Sequence, residues 1–314
     1  MGGKEFPAAD EINALFANDD PDEVWRKAEA IVLRINPDYD LARVRAVFDD
    51  VDALFRGDYP GYAPVRTPYH NQAHTLHVFM CAVRLMHGVH VSGTAMSDED
   101  VALVIMAALM HDIGYAQARG EESGTGAQHT PCHVSRGIAF MHRYVAERGF
   151  PAGWGQRLEP LIRSTDPGYP FAQIPFADEH ARLLGQLVAT ADLVGQMADR
   201  TYLEKLLFLY LEFKEANFGN YRNVHDMLRQ TRRFYEITRE KLDVVYEGLY
   251  ARLSDHFRET MGVANNYYIE SIEKNIAYLD EVTRHEEAEH LEMLKRAGIV
   301  DKARALPEFQ SQER

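Results

Sequence analysis

Two histidines four residues apart, His70 and His74, are the first side chains whose spacing favours shared chemistry. They belong to residues 69–74, YHNQAH. Side chains four apart lie on the same face of a helix, so both imidazoles can contact one ligand. By itself such a pair is more often found on a protein surface than at a metal. Two further segments favour the metal, because each places ionisable side chains in an otherwise apolar helix.

The first of these segments ends in His111 and Asp112. Every side chain from Val101 to Met110 is apolar, so we expect this helix to be enclosed on all sides. Ser97 precedes three acidic residues, which is typical of a helix start, and Gly114 marks the end. Burying an unpaired carboxylate is strongly unfavourable. We therefore expect a metal ion to compensate Asp112.

The second segment is 185–196, which is apolar or small around Asp192. Two histidines and two carboxylates, namely His74, His111, Asp112 and Asp192, form a ligand set that suits Zn, Mn, Fe or Mg. Because a carboxylate has two oxygens, Asp112 could bridge a second ion, and we expect one or two divalent cations. His70 would remain free, and a resting pKa near ~6.5 would let it protonate a leaving alkoxide.

The order of these motifs resembles that of the HD superfamily of metal-dependent phosphohydrolases, and more closely that of class I cyclic-nucleotide phosphodiesterases. Their YHNxxHAxxV element resembles residues 69–78, YHNQAHTLHV. Their AAxxHD element is similar to residues 107–112, AALMHD, and their late Asp-Leu to residues 192–193. The resemblance covers residues 66–196.

This resemblance implies an all-α, HD-domain and PDEase-like helical bundle. It also implies that Asp112 bridges the metals and that His70 is the general acid. The metal ligands that it implies are His74, His111, Asp112 and Asp192. The function that we expect is hydrolysis of a small-molecule phosphoester, most plausibly a cyclic nucleotide or another nucleotide ester, by a metal-bound hydroxide.

Two departures from the family pattern concern substrate recognition and the surroundings of the metal. Tyr115 stands where the phosphodiesterases have a histidine shortly after His-Asp. Their Gln-x-x-Phe purine clamp is echoed by Gln230 and Phe234, with one residue more between them. If the echo is real, Phe234 stacks on a base and Gln230 hydrogen-bonds its edge. An ordinary amphipathic helix accounts for the same two residues.

His133 is a candidate contact for a second metal ion or a phosphate. It opens a segment that resembles the helix following His-Asp in many HD proteins, where a histidine binds the second ion. The alternative is a histidine that caps a helix or supports a ligand. His129 lies in a glycine-rich loop and is a weaker candidate.

Two other functions fit the same motifs. HD-type diiron oxygenases use this scaffold with extra histidine ligands, but no further histidine occurs near residues 163–166. A degenerate HD module would bind a nucleotide or a partner for regulation. The complete ligand set and His70 argue against that degenerate module.

Periodic apolar spacing dominates the chain and alternating β-branched runs are rare, which predicts helices throughout. We expect N-terminal helices in residues 1–60 that pack on a metal-binding catalytic core in 61–215. Residues 216–314 would complete the bundle and end in a frayed tail after Leu306. Within these segments the pattern predicts one long helix or a kinked pair over 178–210, and helices over 223–258 and 265–297.

Composition excludes several classes of protein. The net charge is −14 and no basic stripe is present, so DNA or long RNA is a poor partner. No apolar run is long enough to span a membrane, and the N-terminus lacks a signal-peptide core. Two cysteines form neither a disulfide framework nor a metal motif. We expect a soluble, cytoplasmic protein that could form a homodimer.

Overall fold

A computed structural model describes residues 15–16, 20–306 and 309 of the 314-residue chain. These residues form 13 α-helices and no β-strand, apart from one isolated bridge between Tyr62 and Ala118. The predicted all-α class is therefore confirmed. The predicted frayed tail after Leu306 lies outside the described residues, except for Phe309. The helices are α1 (Pro21–Ile35), α2 (Ala42–Arg56), α3 (Gln72–Val91), α4 (Asp98–Met110), α5 (His133–Glu147), α6 (Trp154–Arg163), α7 (Glu179–Met197), α8 (Tyr202–Glu215), α9 (Val224–Glu240), α10 (Leu253–Met261), α11 (Tyr267–Val282), α12 (Glu287–Met293) and α13 (Ile299–Arg304).

Helix α3 lies at the centre of the bundle. Every residue from His74 to Val89 is buried, because α1, α4, α7 and α10 all pack against this helix. The helix begins at Asn71, whose side-chain Oδ1 accepts a hydrogen bond from the His74 backbone amide at 3.2 Å. This cap fixes the first turn of α3, which carries His74. His70 lies just before the helix begins, so the two histidines do not share a helix face as their spacing predicted.

Helix α4 is the enclosed helix that the sequence predicts. Ser97 and Asp100 form a reciprocal capping box, and every residue from Asp100 to Met110 is buried. The helix ends at Met110, so His111 and Asp112 begin a tight turn that continues as a short 3-10 helix, Ile113–Tyr115. Burial of the apolar residues on all sides thus holds His111 and Asp112 deep inside the bundle.

Gly114 allows this turn to touch the start of α5. A Cβ atom on Gly114 would lie 1.8 Å from the backbone oxygen of His133, which is far inside van der Waals contact. The nearby side chain of Arg136 donates to the Gly114 carbonyl at 2.7 Å. The absence of a side chain at position 114 therefore brings His133 next to the His111-Asp112 turn.

The later helices follow the prediction in part. The 178–210 segment is a pair of helices, α7 and α8, separated at residues 198–201, which is one of the two predicted alternatives. The predicted helix over 223–258 is interrupted by a π-helical turn, Lys241–Val245, and by Gly248, which has a φ of +66°. The predicted helix over 265–297 is also wrong, because the chain leaves α11 at Val282 and resumes in α12.

The three segments into which the sequence analysis divides the chain, 1–60, 61–215 and 216–314, all contribute side chains to one hydrophobic core. Val24, Met106 and Leu279 are examples, one from each segment. Within the described residues, no helix combines the length and the apolar character that crossing a membrane requires.

The Gly114→Ala substitution should lower the free energy of unfolding by at least about 2 kcal/mol. Its methyl group would overlap the backbone of His133, which can move only if the packing of α5 is disturbed. Urea unfolding followed by circular dichroism measures this change.

Gly137→Ala is the matched control in the same contact. Its added Cβ would lie 3.4 Å from the Met110 carbonyl oxygen, which is ordinary contact, and alanine favours helix over glycine. We expect a change within about 1 kcal/mol. Equal effects of the two substitutions would contradict the close approach.

Candidate metal centre

Three of the predicted ligands meet through a single carboxylate oxygen. The Asp112 Oδ2 atom lies 3.2 Å from His74 Nε2 and 3.1 Å from His111 Nε2. The two Nε2 atoms lie 3.3 Å from each other. His74, His111 and Asp112 are 7%, 1% and 4% exposed, so bulk water supplies few hydrogen bonds to their polar atoms. These three residues could hold a metal ion.

The fourth predicted ligand, Asp192, faces the same point from α7. Its Oδ1 atom lies 3.7 Å from the Nε2 atoms of both His74 and His111. The structure thus brings together all four residues that the sequence singles out. They come from α3, from the end of α4 and from α7, and α3 contacts both of the other helices.

The hydrogen bonds of His111 determine which of its nitrogens is free. Its Nδ1 donates to the Ala108 carbonyl at 2.9 Å, so a neutral ring presents a lone pair at Nε2. That lone pair faces the Asp112 carboxylate, whose buried Oδ2 accepts no hydrogen bond. Two electron-rich atoms at this distance require a positive charge between or on them. A bound metal cation would supply this charge. In the absence of a metal, a proton on Nε2 of His111 would supply it instead.

The charges at this point shift the pKa values of both partners. Burial alone would lower the pKa of His111, but Asp112 and Asp192 outweigh it and raise the pKa above its ordinary value. Burial alone would raise the pKa of Asp112, but His111, His74 and His70 hold it well below its usual range. Asp112 is consequently ionised, as a metal ligand has to be.

His133 approaches the other oxygen of Asp112. Its Nδ1 donates to the Thr130 carbonyl at 2.7 Å, and its Nε2 lies 3.4 Å from Asp112 Oδ1. One oxygen of Asp112 therefore faces His74 and His111 while the other faces His133. This arrangement could place a second cation beside His133, with Asp112 shared between the two positions.

Tyr115, the departure from the family pattern, packs against both His70 and His133. Its ring is nearly parallel to His70, with centroids 4.8 Å apart, and to His133, with centroids 4.7 Å apart. Burial raises the pKa of the Tyr115 hydroxyl well above its usual value, so it stays protonated and points to Thr130 Oγ1 at 3.4 Å. Tyr115 packs both imidazoles in place without offering a ligand nitrogen.

His70 is held by a carboxylate that the sequence analysis missed. Its Nδ1 donates to Glu212 Oε2 at 2.5 Å. The other Glu212 oxygen accepts from the backbone amides of Tyr69 at 2.6 Å and His70 at 3.1 Å. These contacts orient the ring and leave Nε2 of His70 available to a ligand.

Burial alone lowers the pKa of His70, but the Glu212 carboxylate, with Asp112 and Asp192, outweighs it and raises the pKa above its ordinary value. Glu212 itself is 1% exposed and lies in α8 among mostly apolar neighbours. A carboxylate among apolar residues is a signal of burial, but the same helix also carries the buried Glu204, so this signal does not single out Glu212.

A cavity of about 340 Å³ opens onto His70, His74, Asp112, His133 and Asp192. Its remaining wall is largely apolar and aromatic, and none of the described residues that line it is a lysine or arginine. The aromatic lining residues are Tyr69, Tyr115, Tyr202, Phe213, Phe218, Tyr221 and Phe234. Phe218 and Phe234 are 40% and 43% exposed, so they lie at the mouth.

The two residues of the predicted base clamp have different positions. Phe234 lines the cavity, as the sequence suggested, but Gln230 does not. The Gln230 amide donates to Asp226 Oδ2 on its own helix at 3.1 Å, and its role as a base contact stays a prediction. Gln196 lies on the cavity wall instead, and its Oε1 accepts from the Tyr69 hydroxyl at 2.8 Å.

The weaker candidate, His129, lies elsewhere. It is not among the described residues that line the cavity.

Comparison with known proteins gives one family match. A family model described as Npun_R2479-like matches residues 116–242, less than half of the chain. The matched stretch includes His133, Asp192 and Glu212 but begins after Asp112. A search of curated proteins finds no match.

In metal-free protein, Glu212→Gln should lower the pKa of His70, because burial then acts without its nearest opposing carboxylate. The imidazole would lose its proton at a lower pH than in the unsubstituted protein. Two-dimensional NMR of the ¹⁵N-labelled histidine rings across a pH series measures this.

The matched control is Glu215→Gln on the same helix, since Glu215 accepts instead from the Thr125 amide at 2.9 Å and hydroxyl at 2.7 Å. A His70 pKa that is unchanged by Glu212→Gln, or shifted equally by both variants, would contradict this assignment.

Proposed function

We propose that this protein is a metal-dependent phosphohydrolase that acts on a small phosphoester. The observation that carries the proposal is the shared carboxylate of Asp112, which lies 3.1 Å from His111 through one oxygen and 3.4 Å from His133 through the other. With His74 and Asp192, this set offers ligands for one divalent cation and a bridge to a second.

A divalent cation held there would polarise a phosphoryl oxygen. It would also lower the pKa of a water molecule bound to it towards neutral pH. His74, His111, Asp112 and Asp192 would bind the cation at the first position. His133 and Asp112 would bind it at the second. The mixed nitrogen and oxygen ligands are compatible with Zn, Mn or Fe, and less so with Mg alone.

His70 serves as the general acid in this proposal. Glu212 binds Nδ1 and, with Asp112 and Asp192, outweighs burial and raises the pKa of the ring, which favours the protonated imidazole. That proton can be donated from Nε2 to the oxygen of the leaving group. Glu212 then stabilises the orientation of the ring in both protonation states.

The cavity wall supports an ester with a single phosphate group and an aromatic or apolar remainder. None of the described lining residues is a lysine or arginine, so nothing besides the bound cations would compensate further phosphates. Aromatic residues at the mouth suit a planar base. The Gln196 amide nitrogen could hydrogen-bond an edge of the base, because its Oε1 is already occupied by Tyr69. A cyclic mononucleotide meets these requirements.

The expected result is metal-dependent turnover of a cyclic mononucleotide. The experiment assays purified protein with Mn²⁺ or Mg²⁺ against cyclic AMP, cyclic GMP, cyclic dinucleotides and nucleoside monophosphates. Asp112→Asn should reduce turnover to background, because the isosteric amide neither bridges nor neutralises cations. Asp58→Asn, at an exposed carboxylate, should leave it unchanged.

Turnover that survives Asp112→Asn would contradict the proposal. Silence across the panel, with oxygen-dependent turnover by an iron-loaded protein, would favour the diiron oxygenase.

A substrate pair isolates the role of His70. His70→Gln should slow hydrolysis of an ester with an alkoxide leaving group by ~10²- to 10⁴-fold, the range of general acid catalysis. Bis(p-nitrophenyl) phosphate needs little protonation of its leaving group, so its hydrolysis should be much less affected. Equal losses on both substrates would assign His70 to binding instead.

A further inference from the structure

A second cleft lies beside the metal cavity, against a neighbouring face of α3. Its volume is about 640 Å³, and Asn71, Ala73 and His77 of the α3 region form part of its wall. Residues from the starts of α8 and α11 and from the turn before α13 complete it. The metal cavity, in contrast, is lined by His70 and His74. The cleft and the metal cavity therefore both adjoin α3, but different residues of this region line each of them.

The cleft concentrates positive charge in an acidic protein. The chain has a net charge of −14, yet five cationic side chains line this cleft with only two carboxylates, Asp199 and Glu270. The cationic residues are Arg200, Lys205, Lys274, Arg296 and Lys302. Concave walls of one charge sign concentrate counter-ions of the opposite sign.

Three of these cations have no carboxylate partner among the described residues. Arg200, Lys274 and Lys302 are exposed, and each is therefore free to contact an anion. The other two are held in position. Lys205 Nζ lies 2.5 Å from Asp199 Oδ2, and Arg296 donates to Asn275 Oδ1 at 3.1 Å.

A buried hydroxyl provides an independent indication of a ligand. Tyr267 lines the cleft and is 2% exposed, and its hydroxyl has no hydrogen-bond partner among the described residues. A buried polar group is rarely left unsatisfied, because it loses its bonds to water on folding. Because Tyr267 forms part of the cleft wall, this unsatisfied donor lies next to the space that an anion would occupy.

We propose that this cleft binds a small molecule that carries two or more phosphate groups. Lysine ammonium groups bind phosphate as point charges from several directions, and the cleft spreads Lys274, Lys302 and Arg200 around a volume larger than one phosphate fills. This ligand differs from the substrate of the metal cavity, where no described lining residue is a lysine or arginine. The proposal does not depend on the phosphohydrolase activity.

The cleft also contacts the residue that caps α3. Asn71 lines the cleft, and its side chain accepts from the backbone amide of His74 at 3.2 Å. A ligand that shifts Asn71 would therefore act on the first turn of the helix that carries His74.

Calorimetric titration of the full-length protein with pyrophosphate and tripolyphosphate tests the proposal. We expect one site per chain and weaker binding as salt increases. The Lys274→Gln/Lys302→Gln variant should bind at least about tenfold more weakly, as expected for lost charge-assisted contacts. Tyr267→Phe, which removes only the hydroxyl, should weaken binding about tenfold as well.

Two controls separate this cleft from other anion sites. Arg26→Gln/Lys214→Gln removes the same charge from exposed positions outside the cleft and should leave binding unchanged. Asp112→Asn alters the metal centre and should also leave it unchanged. The proposal would be overturned if the unsubstituted protein did not bind at millimolar ligand. Binding lost in Asp112→Asn but retained in the cleft variants would overturn it as well.

Discussion

The structure depends on one buried carboxylate, Asp112, which an apolar helix places where only 4% of the residue is exposed. Helix α4 is enclosed from Asp100 to Met110, so the bundle cannot expose the residues that follow without losing much of its core. The carboxylate has to be compensated where it lies. His74, His111 and His133 face its two oxygens, and the electrostatics of the site follow from that arrangement.

Three imidazoles near this carboxylate, those of His70, His111 and His133, share one arrangement. In each of these three, one ring nitrogen is bound to a fixed acceptor and the other is presented to the site. The acceptors are the Ala108 carbonyl for His111, the Thr130 carbonyl for His133 and the Glu212 carboxylate for His70. Either kind of acceptor fixes the ring and turns its other nitrogen towards the site. The Glu212 carboxylate also raises the pKa of His70, which favours the protonated ring that an acid requires.

Local patterns could predict the parts of this site that lie within one helix. Helical spacing and the apolar run before His111 were sufficient to predict the all-α class and to single out the four residues that converge. Glu212 could not be found in this way, because it contacts His70 across 142 positions of the chain. The position of Gln230 could not be fixed by its spacing from Phe234 either, since its amide contacts Asp226 one turn away. The break after Val282 also escaped prediction, as no glycine or proline marks it.

Anomalous diffraction at the absorption edge of the bound metal tests the central claim most directly. Crystals of metal-loaded protein should show a peak about 2.0 to 2.3 Å from the Nε2 atoms of His74 and His111 and from Asp112 Oδ2. Elemental analysis of the same preparation establishes how much metal is present. A stoichiometric metal with its anomalous peak elsewhere in the molecule would contradict the account. So would a protein that takes up no divalent metal while the four side chains keep these positions.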